Sequence, residues 1–218
     1  KTLEFIENKG QWEGPHLYLA STEIENIYLE KNAITYSLSD AKNLEYIKKL
    51  KDGGLKDGTV FKYHTYKVTF TGANTQCEII PGKKERHYYN YFLGSNPEKW
   101  QTEIHPARVL DYKAIYHGVD MHISSEKQQL KYEFILAAGA DPSQIIMRYD
   151  GQEQLLLSKG NLIIKTSVGE VKELKPYTYQ LINGEKKEIA CHYQVKGNEV
   201  SFFFPKGYDK SSLLVIDP

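Results

Sequence analysis

From Tyr63 to Phe70 the chain alternates without a break. Tyr63, Thr65, Lys67 and Thr69 take one parity, and His64, Tyr66, Val68 and Phe70 take the other. Successive side chains of a β-strand point to opposite faces, so the second, more apolar set marks a buried face. The same rhythm runs through Val119, Met121 and Ile123, with Asp120 and His122 between them. It returns across Leu130 to Leu136, where Lys131 and Glu133 point outward. In the last third, residues 155–158, 162–166, 170–174, 177–181, 187–195 and 199–204 read as consecutive strands. Lys159-Gly160-Asn161, Asn183-Gly184 and Gly197-Asn198 punctuate them. Asn-Gly and Gly-Asn pairs supply the positive φ angles of tight hairpins. Strands this short and this regularly spaced predict an all-β fold, an antiparallel sandwich-type architecture with meander hairpins.

Helix is expected in one place. Ala41, Leu44, Ile47 and Leu50 recur at near-helical spacing over residues 39–50, with Ser39 or Asp40 as cap. The polar, glycine-rich stretch Lys51 to Gly58 follows, so residues 39–58 read as a helical and flexible insertion between strands. Asn96-Pro97 and Asp141-Pro142 each predict a single helical turn with Pro at its first position. The chain reads as one β module over residues 1–218. Two packed β subdomains are the variant, with their boundary near residues 103–108.

Lys+Arg and Asp+Glu both number 28, a zero formal net charge. Nucleic-acid binding needs a basic stripe against phosphate, and the short cluster Lys83, Lys84 and Arg86 is diluted by Glu85. No nucleic-acid partner is expected. No run approaches the roughly 20 apolar residues of a membrane-spanning helix. Tyrosine is the outlier, at 17 residues against 8 Phe and 2 Trp. Its ring suits a core edge while its hydroxyl reaches water, and the same property suits sugar stacking. Cys77 and Cys191 permit one disulfide or two buried thiols, and spacing does not choose between them.

The clusters that resemble reactive sites are weak. His117, Asp120 and His122 are good ligand types, and Asp120 and His122 share a strand face. Their spacing matches no metal signature, and no metal or other cofactor is expected. Cys191 and His192 are strand neighbours and point apart. The carboxylate pairs Glu23/Glu25, Asp111/Asp120 and Glu170/Glu173 read as solvent-facing. No catalytic residue is assigned.

Four blocks carry a resemblance. They are Phe5 to Trp12 (FIENKGQW), Tyr89 to Trp100 (YNYFLGSNPEKW), Tyr116 to Asp120 (YHGVD) with the later Leu130 to Phe134 (LKYEF) and Ala138 to Ser143 (AGADPS), and the closing Leu214 to Pro218 (LVIDP). In this order they resemble the N-terminal β domain that precedes seven-bladed-propeller-type (SBBP) repeats in large secreted bacterial proteins. Many of those, in the Bacteroidetes group especially, resemble surface or gliding-associated proteins. The resemblance implies export, a location outside the cell or at its surface, and propeller repeats of the same protein as partner. A first residue that is Lys1 rather than Met fits a processed or trimmed chain.

Two functions follow as expectations. One is a non-catalytic extracellular structural or interaction module that supports adhesion or assembly through cell-envelope protein or glycan. The other is a carbohydrate-binding domain that stacks sugars on exposed Tyr89, Tyr91 and Trp100. A glycan-active enzyme is the third and weakest expectation.

Overall fold

The structure, a computed structural model, describes residues 2–51, 54, 58–182 and 184–218. Its strands in chain order are β1 (Ile6–Glu7), β2 (Tyr18–Ser21), β3 (Glu25–Leu29), β4 (Ala33–Ser39), β5 (Tyr63–Thr71), β6 (Glu78–Pro81), β7 (Tyr89–Tyr91), β8 (Gln101–Ile104), β9 (Leu110–Tyr116) and β10 (Val119–Glu126). They continue as β11 (Gln129–Leu136), β12 (Ile146–Asp150), β13 (Gln154–Ser158), β14 (Asn161–Thr166), β15 (Gly169–Glu173), β16 (Tyr177–Ile182), β17 (Glu185–Glu188), β18 (His192–Lys196), β19 (Glu199–Phe203) and β20 (Leu214–Asp217). The fold is all-β and sandwich-like, with every strand pairing antiparallel.

One sheet has the order β1-β2-β3-β4-β5-β12-β19-β18 and a second the order β17-β16-β20-β11-β10-β9-β6. The two pack face to face. Phe70 of β5 meets Phe134 of β11 edge-on at 5.9 Å between ring centroids, and Phe134 meets Phe202 of β19 at 6.1 Å. The parity read from the sequence is the observed one. Tyr66, Val68 and Phe70 are buried, as are Val119, Met121 and Ile123. A third sheet, β13-β14-β15, inserts Leu162 and Ile164 into the same core. The β7–β8 pair stands apart as a two-stranded ribbon. The segment 103–108 is stitched to both sides of the chain, because Phe5 and Ala107 exchange backbone hydrogen bonds and Glu85 N donates to Pro106 O.

Three expectations need correction. The last third is not one meander: its strands are divided among all three sheets. The strand expected over 187–195 is two strands, β17 and β18, which belong to different sheets. The helix forms at α1 (Ala41–Lys51), capped by Asp40 Oδ1, which accepts from Lys42 N at 2.9 Å. Its apolar stripe is not its anchor, since Ile47 and Leu50 are exposed. Asn43 holds it instead, buried and donating to Ser39 Oγ and Lys62 O while it accepts from Lys62 N. Most of the glycine-rich stretch after the helix, and Asn183 of the Asn183-Gly184 turn, lie outside the described residues. Both Asn96-Pro97 and Asp141-Pro142 open 3₁₀ turns as expected. The two cysteines are buried and unpaired with each other.

Candidate functional site: a cleft over a tyrosine-held glutamate

A cleft of about 860 Å³ opens where the three sheets converge. One wall is the β3–β4 region with Ile24, Glu25 and Leu38. The other is the β10–β11 hairpin with Leu130 and Lys131, joined by Tyr177 and Asp217. Strand β15 forms its base. The hairpin turn there is Lys127-Gln128, with φ of 49° and 68° and no glycine. Positive φ at both central residues matches the right-handed twist of the flanking strands.

Glu173 lies at the heart of the site. Tyr149 of β12 donates to its Oε1 at 2.9 Å, and Tyr132 of β11 donates to its Oε2 at 3.3 Å. One carboxyl group on the third sheet is therefore fastened to both main sheets. Burial disfavours its charged form and pushes its pKa above the ordinary value, although the two hydroxyl donors act in the opposite direction. Tyr36 and Tyr66, cross-strand partners, stack beside it at 4.9 Å between centroids. Burial raises the pKa of both, and the fields of Glu173 and Glu25 add to this.

Glu25 is the second carboxyl in the cleft. Burial raises its pKa, and among the described residues no hydrogen bond or ion pair reaches its carboxyl group. Lys131 is committed elsewhere: it pairs with Asp217 at 2.7 Å and Glu133 at 3.7 Å. A second tie holds the third sheet. Ser167 N donates to His64 Nδ1 at 3.1 Å, which leaves Nε2 to donate to Gly151 O at 2.9 Å.

Over residues 5–218 the chain matches the family described as Domain of unknown function (DUF7948). The chain belongs to that family. No curated protein and no solved structure matches it. For this DUF7948 chain, then, the cleft has to be read from its own chemistry.

None of the residues proposed from the sequence for sugar stacking or metal ligation lines this cleft. Tyr89 and Tyr91 do share a side of β7, with ring centroids 6.4 Å apart and planes 38° apart. Trp100 instead packs against Phe92, with ring planes 81° apart. Tyr89 donates to Glu4 Oε2 at 2.7 Å, which pushes its own pKa up to about 12. Trp12 packs edge-on against Tyr91, whereas Trp100 is exposed. Asp120 and His122 face the same way but serve different partners. His122 Nδ1 meets Asp111 Oδ1 at 2.7 Å, while Asp120 accepts from Lys113 Nζ and from Ala114 N. Ala114 has a φ of 52° at an irregularity of the β9–β10 ladder, so Asp120 supports a bulge. Burial opposes ionisation of Asp120, but these donors outweigh it and hold its pKa below the ordinary value. Among the described residues no group of three potential ligands converges on a metal position.

Reading Glu25 and Glu173 as solvent-facing was wrong, and parity held the signal. Glu173 is in phase with Val171, and Glu25 is in phase with the buried Ile27 and Leu29. A carboxylate on the apolar parity of a strand is turned toward the core or toward a recess in it.

Proposed function

We propose that this chain is a non-catalytic binding module of a larger exported protein, and that it engages a protein partner through the cleft. The observation that carries this reading is the floor of the cleft. Both oxygens of Glu173 already accept from tyrosine hydroxyls of two different sheets, and Lys131 is already paired. Groups so committed make a rigid, preformed recess, and preformed recesses bind with little ordering cost. What remains open includes an apolar part, with Ile24 and Leu174 exposed beside half-buried Leu38 and Leu130, and the unpaired carboxyl of Glu25. Location outside the cell, a role in adhesion or assembly, and propeller-type repeats as neighbours rest on the four ordered sequence blocks.

A carbohydrate-binding reading has its own support. Tyr89 is exposed on β7 with Tyr91 beside it and the polar Glu4 and His87 adjacent, and Trp100 is exposed just before β8. Peptide and glycan arrays probed with three proteins separate the two readings. Wild type is compared with an Ile24→Asp/Leu174→Asp double variant and a Tyr89→Ala/Trp100→Ala double variant. All four positions are exposed, so folding is retained. Peptide binding lost only in the first variant supports the cleft. Glycan binding lost only in the second overturns it in favour of the ribbon.

A further inference from the structure

The base of the cleft is a free strand edge. Strand β15 pairs with β14 on one side, and among the described residues no strand pairs with its other side. The pattern of the ladder fixes which backbone groups are left over. Thr166 and Gly169 close the two-residue turn Ser167-Val168, so they exchange both backbone hydrogen bonds. The exchange recurs two residues on, at Ile164–Val171 and again at Leu162–Glu173. At Glu170 and Lys172, between them, the N–H and C=O groups point away from β14 along the open edge. Among the described residues nothing meets those groups.

Exposed edges invite pairing, and proteins commonly blunt them with charge or cover. This one is set in a recess instead. Ile24, Glu25 and Leu38 stand on one side of it and Leu130 and Tyr177 on the other. The edge therefore opens on a cleft of about 860 Å³ rather than on a flat surface. Inside the walls the unpaired carboxyl of Glu25 calls for a positive charge. Neighbouring Lys131 cannot supply it, being held by Asp217 and Glu133.

We infer that the cleft receives an extended polypeptide segment that adds to the outer edge of β15 through Glu170 and Lys172, with a Lys or Arg side chain of the segment set against Glu25. Backbone pairing would supply affinity, and the cleft walls and Glu25 would select the side chains. The inference rests on the proposed function and names the class of partner for the same cleft.

The probe is a panel of acetylated, amidated Val-Thr alternating hexapeptides with one Lys moved through each position, and a matching panel with Glu for Lys. Amide hydrogen exchange and titration by NMR are read on the wild type, Lys172→Pro, Lys172→Ala and Glu25→Gln. Proline removes only the outward N–H of Lys172 and is tolerated on an open edge, so β14–β15 pairing survives. Expected are slowed exchange at Glu170 and Lys172 with a Lys peptide and affinity reduced about tenfold or more by Lys172→Pro. Lys172→Ala should retain affinity within about twofold, and preference for Lys over Glu peptides should vanish in Glu25→Gln. Peptide binding that shifts cleft resonances without slowing those two amides overturns strand addition while the cleft reading stands. Binding confined to the β7–β8 ribbon overturns both. No binding at millimolar peptide overturns strand addition. Protection that appears without peptide on raising the protein concentration assigns the edge to a second copy and also overturns the inference.

Discussion

The Tyr149 hydroxyl donates a 2.9 Å hydrogen bond to Glu173 Oε1, and this contact joins the eight-stranded sheet to the three-stranded one. Tyr132 makes the equivalent contact from the seven-stranded sheet. Replacing Glu173 with Ala leaves the buried Tyr149 hydroxyl without an acceptor and the Tyr132 hydroxyl with only Met147 Sδ, at 3.5 Å. An unsatisfied buried polar group costs about 1–3 kcal/mol, so Glu173→Ala should destabilise by at least roughly that amount in urea titration. Glu173→Gln keeps an acceptor oxygen and should lose less.

The same carboxyl group sets a pH dependence whose sign is opposite to that of a salt-bridged acid. Burial raises the folded-state pKa of Glu173 above 4.5, so the folded protein holds the proton more tightly than the unfolded chain. Where the unfolded state binds fewer protons, stability falls as pH rises. The contribution is therefore greatest below pH 4.5 and declines between 4.5 and the folded-state pKa. Relative to Glu173→Gln, the wild type should lose melting temperature as pH is raised through that window and hold level above it.

Asn43 does for α1 what an apolar stripe would do elsewhere. Its amide joins Ser39 Oγ, Lys62 O and Lys62 N, the shortest of these contacts being 2.7 Å. Asn43→Ala should speed amide exchange across Ala41–Lys51 by an amount equivalent to about 1–3 kcal/mol of local stability, leaving β4 and β5 protected.

Gly151 ends β12 with a φ of +100°, and a Cβ there would lie 2.7 Å from Thr65 O. Backbone cannot move aside as a flexible side chain can. Gly151→Ala combines that clash with a conformation costly for L residues. It should destabilise by about 2 kcal/mol or more in thermal or urea denaturation.

Both thiols should react slowly. Burial pushes Cys191 up to about 11, with Thr178 and the His192 backbone acting weakly the other way, and it also raises Cys77. The thiolate is the reactive species. Ellman's reagent at neutral pH should therefore label neither residue quickly in the folded protein and both after denaturation.

Much of the fold was legible because side-chain parity is a local property. Tyr66, Val68 and Phe70 declared their face from sequence alone, and Asp141 and Asn96 declared their turns. The division of strands among sheets was not legible, since β16 and β18 look alike along the chain but belong to different sheets, β16 between β17 and β20 and β18 beside β19. The site was half legible. The parity of Glu173 marks it as inward, but its partners Tyr132 and Tyr149 come from two other sheets. No spacing rule relates Glu25 to Glu173 across 148 positions of chain. Asn43 was missed for a different reason: the helix pattern emphasised Leu50 and Ile47, whereas a polar anchor leaves no periodic trace.

Strand β20 lies between β11 and β16, near the middle of its sheet, yet it is translated after every other strand of that sheet. While the ribosome is still short of Leu214, a gap one strand wide stands open, flanked by backbone that has no mate. That sheet can close only once Leu214–Asp217 has been made. A chain interrupted before Leu214 is left with two raw borders ready to clasp a stranger, and disposal by proteolysis is its expected fate.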